Sequence, residues 1–267
     1  MTRSFFIHLL GSGSKGNSIA LAAGEEIILV DAGFSRKELE RRMRLCGLDP
    51  ANVKAVLLTH EHSDHMQGCR VFCNSRRVPL FVTGPACDVM ADDGVLPEID
   101  LVRVFAPGVE FSVGGFSVRS FRIGHDAAEP VGFVIRREGT AAKVGVATDM
   151  GSVQEHIAAE LCDCDVLVIE SNYCDSMLEA SDRDARLKRR IRSYRGHLEN
   201  NQCMEALPGL IGERTKMIYF AHISQECNDY ALVRELAGAA IGDMVDFIVA
   251  EQSAPAPGFE ILQGYLL

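Results

Sequence analysis

Three histidines and one aspartate fall within six residues, in the segment 60–65, which reads His-Glu-His-Ser-Asp-His. Imidazole nitrogen suits zinc and iron, and carboxylate oxygen suits harder divalent ions, so these residue types indicate metal binding rather than a solvated polar loop. In an extended chain His60 and His62 project to the same side, and a turn into a helix directs Asp64 and His65 to a second position. Because an open catalytic site uses about three protein ligands, this spacing predicts two metal ions.

Three further candidate ligands each follow an apolar stretch that has the pattern of a strand. They are His125 after residues 121–123, Asp149 after residues 144–147 and His222 after residues 218–220. Loops at the ends of strands are where α/β proteins place their functional residues. A single histidine in that position is more often structural, but three such residues in a chain with the segment 60–65 favour metal ligation.

Two other segments could bind a phosphate. His197 follows Gly196 at a predicted helix start, where an imidazole can contact a phosphate or protonate a leaving oxygen, and a capping or packing role is the alternative. Ser12, Ser14 and Asn17 lie in a glycine-rich loop after the first strand, whose hydroxyl and N–H groups could hold a phosphate. The loop lacks the Gly-Lys-Ser/Thr ending of a Walker A motif, so a tight turn between two strands is the alternative there.

Seven basic residues lie between positions 183 and 195, among them Arg189 and Arg190. The whole chain has a net charge of −10, with 27 basic and 37 acidic residues, which disfavours a protein that coats nucleic acid by bulk charge. A basic run is usually a solvated helix face, but this one directly precedes His197. Its placement favours recruitment of an anionic substrate and is the main indication of a nucleic acid in the sequence.

The elements that must position these residues alternate between strands and helices. Strands are predicted at residues 5–10, 19–22, 27–30, 53–58, 79–82, 102–105, 111–113, 116–121, 131–136, 143–147, 166–169, 217–220 and 245–249. A helix is predicted between Ser35 and Gly47, with others at about 85–93, 152–161, 200–207 and 230–240. Strand-rich stretches in both halves of the chain predict two sheets packed against each other, with helices on both outer faces.

Length and composition narrow the class of protein. The 267 residues suit one large domain or two small ones, and 47% hydrophobic residues are ordinary for a globular protein. No apolar run approaches the ~20 residues of a membrane span, and residues 5–10, interrupted by His8, have the pattern of a first strand rather than of a signal peptide. Nine scattered cysteines without an export signal predict a reducing compartment, the cytoplasm.

Five motifs occur in the order that is typical of one superfamily: Asp31, the segment 60–65, His125, Asp149 and His222. The chain resembles the metallo-β-lactamase-fold hydrolases, and this resemblance implies a four-layer αββα sandwich. It also implies that His60, His62 and His125 hold one metal ion, that Asp64, His65 and His222 hold the other, and that Asp149 bridges the two. Asp31 would orient ligands rather than bind metal. Zinc and manganese suit these donors, and so does iron.

A narrower similarity joins the chain to the YycJ (WalJ) group of bacterial proteins, which are regarded as exonucleases that degrade DNA from the 5′ end. It rests on residues 10–18, 124–127, 170–172, 196–198 and 221–224. Ser171 and Asn172 resemble phosphate-contacting residues by their position alone. The predicted catalytic residues are Asp64, which could orient the nucleophile while binding a metal ion, and His197. The chain departs from the group at Tyr173, where histidine is expected, and at Glu199, where serine is expected.

These observations predict a DNA 5′-to-3′ exonuclease that attacks phosphodiesters with a metal-bridging hydroxide. A single domain over residues 1–267 is predicted, because the 73 positions from Asp149 to His222 leave no room for the large inserted domain of RNA-processing relatives. The first alternative is a hydrolase of a small metabolite (a thioester, lactone or cyclic phosphodiester), with a closed pocket and no role for the basic run. A second alternative, a non-enzymatic metal-binding protein, is disfavoured by the full ligand set. Oligomeric state and metal identity are left open.

Overall fold

Two mixed β-sheets packed face to face support the predicted site. The structure, a computed structural model, describes residues 4–262 and, as backbone only, residues 265 and 266. The strands are β1 (Phe6–Gly11), β2 (Ser18–Ala23), β3 (Glu26–Val30), β4 (Val53–Leu57), β5 (Leu80–Thr83), β6 (Val102–Phe105), β7 (Glu110–Val113), β8 (Phe116–Arg122), β9 (Val131–Arg137), β10 (Lys143–Ala147), β11 (Val166–Glu170), β12 (Met217–Ala221), β13 (Asp246–Val249), β14 (Phe259–Glu260) and β15 (Tyr265–Leu266).

The connections between the strands carry the helices. These are α1 (Arg36–Leu45), α2 (Ser63–Met66), α3 (Cys69–Arg76), α4 (Gly84–Asp92), α5 (Glu155–Leu161), α6 (Asp175–Ala180), α7 (Ala185–Ile191), α8 (Asn200–Leu210) and α9 (Tyr230–Ile241). Single 3-10 turns lie at Pro50–Asn52 and Ile99–Leu101. Among the described residues, no helix has both the length and the apolar character that crossing a bilayer requires.

Each sheet has an antiparallel part followed by a parallel part. The first sheet has the strand order β15-β14-β1-β2-β3-β4-β5-β6, and its strands run parallel from β3 to β6. The second has the order β13-β12-β11-β10-β9-β8-β7, and its strands run parallel from β10 to β13. Parallel strands place their carboxyl ends at one edge of a sheet, so the loops that follow β3, β4, β10, β11 and β12 are the ones that can meet.

The apolar residues form three main layers of core, and these confirm the predicted αββα sandwich. One cluster fills the space between the sheets and includes Phe5, Phe133 and Tyr219. A second packs α1, α3 and α4 on the outer face of the first sheet. A third packs α5, α8 and α9 on the second sheet. Strands β11 and β12 are buried along their whole length, as expected for parallel strands that are covered on both faces.

Local sequence signals explain several element boundaries. Ser35 caps α1 by accepting a hydrogen bond from the Glu38 N–H, and Gly47 follows the helix with a φ of +72°. The strands predicted at residues 111–113 and 116–121 form a hairpin through Gly114-Gly115, which have φ of +57° and +70°. The helix expected from about residue 152 begins only at Glu155, and α3, α6 and α7 lie outside the predicted helices.

Glu40 joins α1 to α3. Its carboxylate accepts hydrogen bonds from Arg36 and Arg44 on its own helix and from Arg76 on α3, at 2.7–3.0 Å. Partial burial alone would raise the pKa of Glu40, but the bonds from the arginines outweigh it and lower the pKa to about 2. An ionised carboxylate at this position therefore stabilises the packing of the two helices.

We expect Glu40→Gln to lower the free energy of unfolding by roughly 2 kcal/mol at pH 7, because the charge-assisted bonds to three arginines are lost. A group whose pKa is depressed on folding stabilises above its unfolded value and loses that effect as the pH falls. The difference between wild type and variant should therefore be full above pH 5 and shrink as the pH falls towards about 2. Urea unfolding in EDTA at several pH values measures it, and a difference independent of pH would contradict the assignment.

Candidate metal centre and cleft

The predicted metal ligands meet at the carboxyl ends of the parallel strands. Asp31 follows β3, His60 follows β4, Asp149 follows β10 and His222 follows β12. Asp31, Asp149 and His222 have left-handed backbones, with φ of +62°, +56° and +54°. Such conformations cost non-glycine residues about 1–3 kcal/mol, so the surrounding structure must enforce them. In each case the turn directs the side chain across the edge of the sheets.

The first set of donor atoms comes from His60, His62 and His125. Their ligand atoms lie within 4.8 Å of one another, and His62 Nδ1 is 3.3 Å from His125 Nε2. The outer nitrogen of His125, Nδ1, donates to the carbonyl oxygen of Gly196 at 2.9 Å, and His60 Nδ1 contacts the hydroxyl of Thr59 at 3.0 Å. Burial lowers the pKa of His60 well below its usual value, which favours the neutral imidazole that binds metals.

The second set comes from Asp64, His65 and His222. Asp64 Oδ2 lies 3.6 Å from His65 Nε2 and 3.5 Å from His222 Nε2. Asp149 lies between the two sets, with Oδ2 at 3.2 Å from His65 Nε2, and it also groups with His60. Burial would raise the pKa of Asp149, but the neighbouring His222 and His65 outweigh it and hold the pKa well below its usual value.

The unpartnered atoms of this cluster show that it fits divalent cations. His60 Nε2, His222 Nε2 and Asp149 Oδ2 are buried and make no hydrogen bond among the described residues. Buried polar atoms without a partner are costly and rare in folded proteins. All three are imidazole or carboxylate atoms aimed into the cluster, and such atoms are ligands of zinc, manganese and iron. The residues present therefore match the chemistry of a metal centre.

Asp31 contacts one of the predicted ligands, His65. Its carboxylate accepts hydrogen bonds from the N–H and hydroxyl of Thr59 and lies 2.8 Å from His65 Nδ1. With Nδ1 donating to Asp31, the Nε2 atom of His65 is turned towards the donor cluster. Carboxylates behind a metal-binding histidine fix its tautomer and its ring orientation in this way.

Glu170, to which the sequence analysis gave no role, contacts two histidines of the site. It is fully buried at the end of β11, and its Oε1 lies 2.9 Å from His197 Nδ1 and 2.8 Å from His222 Nδ1. Its Oε2 accepts from the N–H groups of Met150 and Leu198. Burial would raise the pKa of Glu170, but His197 and His222 outweigh it and lower the pKa. The sequence did contain a signal for Glu170, because an acidic residue at the end of an apolar strand is also the pattern at Asp31.

A cleft of about 230 Å³ opens above the donor atoms. His197 lines it with a fifth of its side chain exposed, and Asp64 and Asn172 also reach it. The opposite wall is formed by the basic segment, from which Arg183 and Arg190 face the cleft. Arg190 pairs with Asp126, the residue after His125, whereas Arg189 on the same helix is exposed and does not line the cleft.

The predicted phosphate-binding hydroxyls fall into two groups. Ser14 is exposed and lines the cleft. Ser12 and Ser171 are buried: the Ser12 hydroxyl accepts from the N–H of His222 at 2.7 Å, and Ser171 donates to Asn200. Asn17 is also buried. Its side chain closes the glycine-rich loop through Gly13 and contacts Asp64 and His65.

The two departures from the group pattern have different surroundings. Tyr173 lines the cleft and packs against Ile191 and Cys227, and burial raises its pKa to about 12, so its phenol is neutral. Glu199 does not line the cleft. It caps α8 by accepting from the N–H groups of Asn201 and Gln202, the task that a serine at this position would perform.

We expect Asp31→Asn to weaken metal binding by about 10- to 100-fold, because an amide cannot accept from Thr59 and His65 as the carboxylate does. Competition with a chromophoric chelator for Zn²⁺ measures the affinity, and Asp92→Asn, at an exposed position on α4, is the matched control. Wild-type affinity in the Asp31 variant would show that His65 needs no support from this carboxylate.

Comparison with known proteins agrees with this geometry. A family model described as "Beta-lactamase superfamily domain" matches residues 26–223. Exodeoxyribonuclease WalJ of Streptococcus pneumoniae serotype 2 is 32% identical over 256 residues, which cover 93% of this chain and 94% of that protein. Exodeoxyribonuclease YycJ of Bacillus anthracis is 32% identical over 239 residues, 89% and 88% of the two chains. The crystal structure of the metallo-β-lactamase-fold protein YhfI from Bacillus subtilis has the same fold, with a TM-score of 0.72 at 15% identity over 94% of this chain and 99% of that one. The chain therefore belongs to the metallo-β-lactamase superfamily, as a relative of the WalJ and YycJ exodeoxyribonucleases, and is a metal-dependent hydrolase.

Proposed function

We propose that this protein is a phosphodiesterase with two divalent metal ions that removes nucleotides from the 5′ end of DNA. The observation that carries the proposal is the position of the donor cluster. Two sets of donor atoms, with Asp149 between them, lie at the base of a cleft whose opposite wall presents Arg183 and Arg190. A basic wall facing a metal centre suits an anionic substrate, and the relatives that cover most of the chain are named as DNA exonucleases.

Each donor set would hold one ion. His60, His62 and His125 would bind the first, Asp64, His65 and His222 the second, and Asp149 would contact both. Zinc or manganese suits the mixture of imidazole and carboxylate, and iron also fits. Such ions, when bound, activate water as a nucleophile near neutral pH and neutralise charge on phosphate oxygens.

Two residues of the cleft have the geometry for proton transfer and orientation. Asp64 reaches both the second donor set and the cleft, so its carboxylate can accept a hydrogen bond from the attacking water. His197 borders the cleft with Nδ1 held by Glu170, which leaves Nε2 to face the substrate. A histidine in that position can protonate the leaving 3′ oxygen, a contribution of about 10²- to 10⁴-fold in rate.

The other polar residues in and around the cleft would contribute to substrate binding in different ways. Arg190 and Arg183 can contact phosphate oxygens with forked N–H groups, and Ser14 and Asn172 add single donors. Arg189 contributes attraction at longer range. Ser12, Asn17 and Ser171 would not contact the substrate; their internal hydrogen bonds fix the loops around the site. We place the enzyme in the cytoplasm, where cysteines stay reduced, and all nine cysteines lie in the described residues without a disulfide.

The proposed activity predicts metal-dependent release of nucleotides from one end of a duplex. Purified protein with Mn²⁺, and separately with Zn²⁺, is mixed with DNA labelled at one 5′ end, and products are followed in time. The label should appear at once in the shortest products, while a 3′-labelled strand should shorten progressively. The His62→Ala, Asp64→Ala protein is the control and should release nothing, because both donor sets are damaged.

The alternative function gives a different result in the same experiment. A protein that binds two ions, cleaves no DNA with either metal, and hydrolyses a thioester, lactone or cyclic phosphodiester is a small-metabolite hydrolase. Early release of the label from the 3′-labelled strand would instead reverse the polarity.

Protonation by His197 predicts a dependence on the leaving group. His197→Ala should lower kcat for DNA by about 10²- to 10⁴-fold, because an alkoxide needs a proton as it departs. Hydrolysis of bis(4-nitrophenyl) phosphate should fall far less, because 4-nitrophenolate leaves without one. His156→Ala, at an exposed histidine on α5, is the control. Equal losses on both substrates would assign His197 a structural role.

A further inference from the structure

A second groove adjoins the cleft on the side away from α7. It has a volume of about 490 Å³ and shares Ser14 and Asp64 with the cleft. Lys15 and Arg70 lie along it. The cleft and this groove therefore form one continuous depression that runs from the basic wall, across the donor atoms, to a second pair of cations.

Lys15 and Arg70 are exposed, and hydrogen bonds fix the segments that carry them. The N–H of Lys15 donates to Oε1 of Gln252 at 2.6 Å, which fixes the loop that carries this side chain. Arg70 lies on α3, and its Nη1 donates to the carbonyl oxygen of Gly94 at 2.8 Å. That bond uses one of the five N–H donors of a guanidinium, and the described residues give Arg70 no other hydrogen bond or ion pair. Both charges are thus available to an anion.

Apolar side chains line the same groove as these cations. Met66 and Val71 line the groove, and Val71 is 55% exposed although it is hydrophobic. A surface that combines separated positive charges with apolar patches matches a single nucleic-acid strand, which offers phosphates along one side and the faces of unpaired bases along the other. A compact anion would use only the charges.

The opposite end of the cleft is walled. Leu187 and Ile191 of α7 pack on Tyr173 and Cys227 in one hydrophobic cluster, and Arg190 pairs with Asp126 across the cleft. A strand that places one phosphodiester above the donor atoms therefore continues past Ser14 and into the groove. This arrangement also fits an enzyme that acts on strand ends rather than within a strand.

We propose that this groove binds the uncleaved remainder of a single DNA strand, with Lys15 and Arg70 contacting phosphates beyond the one that is cleaved. This inference rests on the proposed function, because it describes how the same substrate lies on the protein. It adds a binding site for the strand, outside the metal centre and on the side away from the basic segment.

Binding of a cleavage-resistant strand tests the groove directly. The probe is a fluorescein-labelled 12-nucleotide oligo(dT) with phosphorothioate linkages, and its anisotropy is measured with Mn²⁺ present from 50 to 200 mM NaCl. The Lys15→Gln, Arg70→Gln protein should bind at least tenfold more weakly at 100 mM. The slope of log K against log salt should become shallower by about 1.4, because each contact to a single-strand phosphate contributes about 0.7.

The matched control is Lys54→Gln, Arg103→Gln. Both residues are exposed, and they occupy the second positions of β4 and β6, at the ends of these strands that lie away from the donor cluster. This protein should keep the wild-type slope. Lys15→Gln alone leaves the bond from Arg70 to Gly94 intact. It should still make the slope shallower by about 0.7. A change in the loop at Gly94 therefore cannot account for that effect.

If the Lys15→Gln, Arg70→Gln protein has the slope and affinity of the control, the groove does not bind the strand. That result would leave the proposed nuclease function in place. Failure of the function itself is distinct: the wild-type protein would then neither cleave the labelled duplex nor bind the probe. A wild-type protein that cleaves DNA, with an Arg70 variant that raises KM for a 12-nucleotide substrate but hardly for a dinucleotide, supports both.

Discussion

The buried carboxylate of Asp149 is the interaction on which the site depends. Its two oxygens lie within 4 Å of nitrogen atoms from His65, His125, His197 and His222, which come from four separate segments of the chain. Its negative charge raises the pKa of His222, although burial alone would lower it. One buried carboxylate therefore sets the electrostatics of histidines that are far apart in the chain.

The two halves of the chain solve the same geometric problem in the same way. An antiparallel ribbon of three strands precedes a parallel strand in each half, β1 to β3 before β4 and β8 to β10 before β11. Asp31 and Asp149 follow the third strand of each ribbon, and both have a left-handed backbone. In the proposed site, the aspartate of one half would hold a ligand and the aspartate of the other would itself be a ligand. This correspondence is one of topology, because the sequence shows no short repeat.

Much of this arrangement could be predicted because short local sequence patterns identify the candidate metal ligands. Apolar strands followed by His or Asp identified Asp149 and His222, and the parallel strands brought them together as expected. The same reasoning could not separate residues that face the cleft from those that face inward. Ser12 and Ser171 were expected to meet phosphate, yet each is buried in an internal hydrogen bond. Glu170 shows the converse: only the folded chain reveals why a carboxylate is fully buried there, since its four partners lie at distant positions.

The hydrophobic cluster around Tyr173 belongs to the segment that walls the cleft, not to the strand ends that carry the donor atoms. The donor atoms lie at strand ends, whereas α6 and α7 form a single excursion between β11 and α8. It is attached through the packing of Leu178 and Ile191 in the cluster that includes Cys227, and through the ion pairs Arg190–Asp126 and Arg183–Glu226. Substitutions in that excursion can reshape the mouth of the site without moving a ligand. Such a division gives the scaffold latitude: the strand ends hold the donor atoms while α6 and α7 shape the mouth of the cleft. Exchange of residues 175–190, which leaves Gly196 and its bond from His125 in place, is a natural route for redesign.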